Sequence, residues 1–119
     1  MGTAFISGHL DLTEDEFVAH YMPLLDKALQ CGDEFVIGDA RGTDERCQIY
    51  LAVRTKHVKV YHMFTSPRNN AGFETVGGFK SDKERDEAMT AASDYDIAWV
   101  RPGRESSGTA RNLARRRIL

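Results

Sequence analysis

The sequence predicts an α/β fold, a Rossmann-like three-layer sandwich, and three observations carry that prediction. Short apolar runs alternate with helical patterns along the chain, the runs are nearly continuous in apolar residues, and glycine-bearing loops follow three of them. Alternation of this kind builds right-handed βαβ units and a parallel sheet with helices on both faces. Continuous apolar runs are what strands covered on both faces require. The expectation is a parallel sheet of four or five strands in the order 3-2-1-4. It forms one domain over residues 1–119, a length with no room for two independent cores.

Each element has a local reason. Thr3 to Ser7 reads as the first strand. Thr13-Glu14-Asp15-Glu16 is a capping box, opening a helix whose apolar positions Phe17, Val18, Tyr21, Leu24, Leu25, Ala28 and Leu29 recur at helical spacing. Gly32 stops it, and Pro23 in its interior is expected to kink it. Glu34 to Gly38 is the second strand, followed by a helix from about Thr43 to Arg54, and Val58 to Tyr61 is the third strand. The polar, glycine-containing stretch 62–80 is too long for an ordinary connection. It reads as a lid, with Phe73 or Phe79 stacking on a ligand, or as a disordered excursion. Ser81-Asp82-Lys83-Glu84 is a second capping box, opening a helix to about Ser93. Tyr95 to Val100 is the last strand, with Trp99 in the core, and Thr109 to Arg117 is the closing helix.

Composition removes several function classes. A formal net charge of −2 argues against a polycation that binds nucleic acid by bulk charge. The arginines at 101, 104, 111 and 115–117 read as a basic helix end in preference to a nucleic-acid patch, because no aromatic residues are interleaved with them. Cys31 and Cys47 have neither CxxC nor Cys/His spacing, so neither a disulfide framework, a metal site nor a cofactor is expected. The start of the chain lacks the pattern of a signal peptide, and no apolar run has the length of a membrane span. A cytoplasmic protein is expected, with no membrane partner. So small a sheet is expected to cover an edge or a helix face with a second copy, as a homodimer or higher homo-oligomer.

The chemistry is expected in three loops on one edge: Ser7-Gly8-His9, Gly38 to Asp44, and Arg101 to Thr109. Ligands of open parallel sheets bind beyond the carboxyl ends of the strands, where strand order reverses. Glycine admits a phosphate to the backbone, and a helix N-terminus offers free N–H groups and partial positive charge. The candidate ligand residues are Ser7, Gly8, His9, Gly38, Asp39, Arg41, Gly42, Arg85, Arg101, Pro102, Gly103, Ser106, Ser107, Gly108 and Thr109. Arg41 and Arg101 are read as phosphate partners and Asp39 as a ribose contact or a turn cap. His9 is read as a phosphate or acid/base group, or as a solvated loop residue. Asp44 is read as support for a helix start, and Arg85 and Asp86 equally as site residues or as a surface network.

Three segments carry a family resemblance. Gly38-Asp39-Ala40-Arg41-Gly42-Thr43-Asp44 resembles the "GGARGAD" segment of small YspA-type domains in the SLOG superfamily. Arg85 to Met89 is similar to the "RNxxM" helix start of those domains, and Pro102-Gly103 with Gly108-Thr109 resembles their "PGGxGT" loop. The resemblance runs in order over nearly the whole chain. It implies a Rossmann-like relative of the lysine-decarboxylase-like phosphoribohydrolases and of the DNA-processing protein Smf, with base or sugar near the first strand and phosphate at the "GT" helix. The loop here is two residues longer than "PGGxGT", and Asn112 stands where the phosphoribohydrolases carry a catalytic glutamate.

Together these readings lead first to a sensor or binding domain for a nucleotide or nucleotide-derived phosphorylated ligand. The second reading is an N-glycoside hydrolase or transferase acting on nucleoside monophosphates. A carboxylate would assist its oxocarbenium-like transition state, with Asp39, Asp86 and Glu105 as candidates. The third is a single-stranded DNA module, which a steep salt dependence of binding would mark.

Overall fold

A computed structural model describes residues 2–118. The domain expected over 1–119 therefore includes Met1 and Leu119, which lie outside the described residues. In chain order the elements are β1 (Thr3–Ile6), α1 (Glu14–His20), α2 (Met22–Gln30), β2 (Glu34–Gly38), α3 (Thr43–Ala52), β3 (Val58–Met63), β4 (Glu74–Phe79), α4 (Asp82–Ala91), β5 (Tyr95–Ile97) and α5 (Gly108–Arg117). The five strands form one sheet, every pairing is parallel, and its order is β4-β3-β2-β1-β5.

That order corrects the expected 3-2-1-4. The difference is β4, which lies inside the 62–80 stretch and adds to the outer side of β3. Its sequence, Glu-Thr-Val-Gly-Gly-Phe, has no continuous apolar run, because an edge strand need not be covered on both faces. The connection 64–73 from β3 to β4 contains no helix, and the β3–β4 ladder is irregular between Tyr61 and Met63.

The pleat divides the core in two. Ala4, Ile6, Phe35, Ile37, Val58 and Val60 point to the face covered by Phe17 of α1, Leu25 and Ala28 of α2, and Cys47, Tyr50 and Leu51 of α3. Phe5, Val36 and Tyr61 point to the other face, against Met89 of α4, and α5 packs beside α4 and β5. Alternate residues of the same strands thus serve both layers, which is why the strands read as unbroken apolar runs.

The single kinked helix expected after Thr13 is two helices. Both halves of the Thr13 capping box form, with the Glu16 N–H donating to Thr13 Oγ1 at 3.1 Å and the Thr13 N–H to Glu16 Oε1 at 3.0 Å. The chain breaks at Tyr21, and Pro23 falls in the first turn of α2, where its missing N–H costs no helical bond. At α4 the Glu84 N–H donates to Ser81 Oγ, while the Glu84 carboxylate reaches back to the Lys80 N–H, one residue earlier than a capping box requires. The last strand is shorter than expected, ending at Ile97. Trp99 follows it half-buried, stacked on His20 with ring centroids 4.0 Å apart. No helix among the described residues is long and apolar enough to cross a membrane.

Candidate functional site

A cleft of about 760 Å³ opens at the carboxyl ends of β1 and β2, between the α3 loop and the helices α4 and α5. Strand order reverses at β1, between β2 and β5, which is where an open parallel sheet leaves such a crevice.

The β1 loop is held from below. The Tyr21 hydroxyl donates to Ser7 O at 2.7 Å and accepts the Trp99 N–H at 3.0 Å, joining β1 to the chain beyond β5. A Cβ on Gly8 would overlap Thr43 and the Tyr21 hydroxyl, so this glycine serves the approach of α3 to β1. Gly42 has φ +74°, and a Cβ there would meet the Leu10 carbonyl. The His9 carbonyl accepts both the Thr43 N–H and its hydroxyl. His9 Nε2 accepts the Arg101 N–H at 2.9 Å, which places the ring proton on Nδ1. Burial, then the charges of Arg101 and Arg104, lower the His9 pKa, which favours the neutral ring that this bond requires.

One wall is cationic. Ser107 caps α5, accepting the Ala110 N–H at 3.2 Å, and Gly108 and Thr109 present the first N–H groups of that helix, which have no partner within it. Among the described residues, the Arg111 guanidinium is tied only to the Ser106 carbonyl, at 2.7 Å. Arg115 donates to Asn112 Oδ1 at 2.7 Å. Arg104 pairs with Asp11 at 2.8 Å. Arg41, exposed on the α3 loop, makes no hydrogen bond or ion pair among the described residues. Buried Ser7 Oγ, which lines the same cleft, also has no partner.

The opposite wall is acidic and organised around buried Arg85. Its Nη1 donates to Asp39 Oδ1 at 2.8 Å, and its Nε and Nη2 both reach Asp86 Oδ1, at 3.2 and 3.1 Å. Asp39 also accepts from the Arg68 backbone and guanidinium. Burial pushes the Asp39 carboxyl up, but the bonds from Arg68 and the charges of Arg68 and Arg85 outweigh it and leave its pKa lowered. Asp44 has no such pair. Its Oδ2 accepts the Ala40 N–H at 3.2 Å, and burial pushes its pKa up to about 7, with the Arg85 charge only partly opposing this.

Of the residues expected to bind, Ser7, Gly8, His9, Gly38, Arg41, Arg85, Ser107, Gly108 and Thr109 line the cleft, as does Asp86. Gly42, Pro102, Gly103 and Ser106 are not among its lining. Asp39 lies behind the acidic wall as the strut between Arg68 and Arg85. Arg101 turns away: its guanidinium takes Glu16 at 2.6 and 2.8 Å and Asp11 at 3.1 Å, holding the Glu16 pKa down to about 2. Glu105 is exposed and accepts the Gly103 N–H within its own loop. Residues 64–73 are pinned at Asp39 by Arg68 and at Gln48 by Asn69 and Ala71. Phe73 and Phe79 pack on the two core clusters, with Phe79 against Tyr61.

The sequence reading missed Arg111, Arg115 and Asn112 as lining residues, although their i, i+4 and i+1 spacing within the first turns of α5 is a usable signal. It also missed Asp44, whose place in the cleft follows from its burial and not from its helix-start position. No family model, no curated protein and no solved structure matches the chain.

Proposed function

We propose that the protein binds a nucleotide or nucleotide-derived phosphorylated ligand in this cleft, as a sensor or binding domain. The observation that carries the reading is the convergence at one sheet edge of the open α5 N-terminus, the unpaired Arg41 and the lightly tethered Arg111. A helix N-terminus favours an anion through its N–H groups and dipole, and a guanidinium adds bidentate pairing. The acidic wall opposite suits the hydroxyls of a sugar.

A second reading, cleavage of an N-glycosidic bond, draws on the carboxyls of Asp44 and Asp86 facing the same space. One is held near neutral and the other is ion-paired, the division of labour that general acid and base need.

Incubating the purified protein with a panel of nucleotides, cyclic nucleotides and nucleoside monophosphates, then reading retained ligand and free base by mass spectrometry, separates the two. Retention without base release is the expected outcome; released base establishes the second reading. In the same assay Arg41→Ala is expected to weaken binding by about 1.5–3 kcal/mol. Gly108→Val is expected to abolish binding in a folded protein, because a Cβ there meets only Arg111 Nη2, at 3.6 Å, and intrudes on the anion position. Unchanged retention by folded Gly108→Val would remove the α5 site.

A further inference from the structure

Three carboxyl groups meet at the acidic end of the cleft, and one buried guanidinium serves them. Arg85 gives Nη1 to Asp39 and its Nε and Nη2 to Asp86, and Asp39 takes Arg68 as well. Asp44, 8% exposed, has no ion pair among the described residues. Its Oδ2 accepts the Ala40 N–H at 3.2 Å, and among the described residues its Oδ1 makes no hydrogen bond.

A buried carboxyl without a cation of its own favours its proton, because burial penalises the charged form. The groups around Asp44 leave that preference standing. Asp39 from β2 and Asp86 from α4 oppose its ionisation, and the shared charge of Arg85 only partly offsets burial, so its pKa is pushed up to about 7. Tyr21, between α1 and α2, and Cys47, on α3, both have pKa values raised by burial and bring no charge at neutral pH. The His9 ring, on the β1 loop of the same cleft, has its pKa lowered.

The cleft also holds uncommitted cations. Arg41 and Lys83 line it without an ion pair among the described residues, beside Arg111 and the first N–H groups of α5. Arg41 lies three positions before Asp44, in the loop that the Ala40 N–H ties to this carboxyl. Ser7 Oγ, in a residue 7% exposed, lines the same space with no partner, as a surface that receives a polar group would. Once ionised, Asp44 is a fixed anion inside this space. It attracts the free cations and repels an incoming anion, and a buried charge is weakly screened by salt.

We propose that Asp44 is a proton-linked switch on the cleft: an anionic ligand binds with a proton held on Asp44, and loss of that proton weakens binding. This inference rests on the anion reading of the cleft and adds its regulation. When Asp44 is ionised before binding, the proton comes from solvent and joins the carboxyl; no other bond changes. The linkage has a definite sign. An anion in the cleft stabilises the protonated form, so affinity is full below the pKa of the free group and falls as pH rises through about 7. The fall levels off once the occupied protein ionises too.

The test uses sulfate, whose own charge does not change across the range. Titration calorimetry on the intact protein is expected to show sulfate affinity falling at least fivefold, roughly, from pH 6 to pH 8. At about pH 7.5, runs in two buffers of different ionisation enthalpy are expected to show uptake of roughly half a proton per sulfate bound. This second readout uses the wild type alone and does not depend on how a variant folds. Asp44→Asn keeps an acceptor for the Ala40 N–H but cannot ionise. With its fold confirmed by thermal melting, it is expected to match the wild type at pH 6 and to change by less than about twofold up to pH 8. Wild-type affinity that is flat with pH, with no proton uptake, would overturn the inference and leave the anion site standing. An equal fall in folded Asp44→Asn would overturn it too, and assign the proton to another group, His9 first. Absence of sulfate binding even at pH 6 would instead overturn the anion reading, and this inference with it.

Discussion

Asp44 is buried and its pKa is raised, whereas Asp11, Glu14, Glu16, Asp33 and Asp39 are all held below their ordinary range. Asp44 follows Thr43 at the start of α3, where a carboxylate would ordinarily favour the helix dipole, but it is buried near Asp39 and Asp86, which take the ion pairs of Arg85 and leave Asp44 only the field of that charge. An acid whose pKa is raised from 3.8 to about 7 on folding keeps its proton in the fold while the unfolded chain has lost it. The stability it subtracts therefore grows as pH rises from about 4 to about 7 and is constant above. Asp44→Asn cannot ionise. It is expected to leave stability nearly unchanged at pH 4 and to raise it at pH 8, by at most ~4 kcal/mol for a carboxyl pushed up to about 7. Urea denaturation of both proteins across this range checks it, and a difference independent of pH would show that Asp44 ionises normally. Asp39, five positions earlier, differs because Arg68 and Arg85 both bond it. A strand-end aspartate looks alike in either role, and only its partners separate a strut from a ligand contact.

At the level of elements, the site depends on how closely α3 approaches β1. The Thr43 backbone and hydroxyl both reach the His9 carbonyl, and Gly8 leaves no space for a side chain between Thr43 and Tyr21. Gly8→Ala is expected to push α3 from β1 and to destabilise the fold by roughly 1–3 kcal/mol, the range for overpacking at a well-filled contact. Chemical denaturation measures it, and a stability within ~0.5 kcal/mol of the wild type would show that the contact has slack. The contrast with Gly108 is informative. Gly8 follows a strand end and Gly108 opens α5, but Gly8 is required by packing, whereas a Cβ at Gly108 would make only an ordinary contact with Arg111 Nη2. The same residue type in two places thus answers two different demands, and a substitution at each separates folding from binding.

Across the whole molecule, β4 and the connection 64–73 couple the sheet edge to the cleft. Gln48 is 1% exposed and sits at the junction, donating to Gly38 O at 2.9 Å and to Asn69 O, and accepting the Ala71 N–H at 2.9 Å. Arg68 completes the attachment through Asp39 to Arg85, so the segment that resembles a lid in sequence is fastened to the acidic wall. Gln48→Ala is expected to release this segment without unfolding the sheet. Hydrogen exchange should show the Ala71 N–H exchanging at least tenfold faster, with the β1 and β2 amides unchanged. Equal acceleration throughout would mean that Gln48 supports the entire fold and not the connection alone.

What the sequence by itself determined is what local chemistry decides. Apolar runs covered on both faces mark β1, β2 and β3 because the burial they require is the same in any such sheet, and the Thr13 box forms because its two bonds span only three residues. The glycine-bearing loops were legible for the same reason, as they follow directly from the strand ends. Only the tertiary structure decided the rest. β4 is a strand because β3 offers an unpaired edge, not because Glu74 to Phe79 has a strand pattern. Arg101 and Arg111 look alike in the sequence, and ninety residues separate Arg101 from the Asp11 that, with Glu16, removes it from the cleft. Asp44 and Asn112 line one cleft because the fold brings α3 and α5 to the same end of the sheet. Ion pairs and burial join residues far apart in the chain, so the residues left free for a ligand emerge only once the fold has consumed the others.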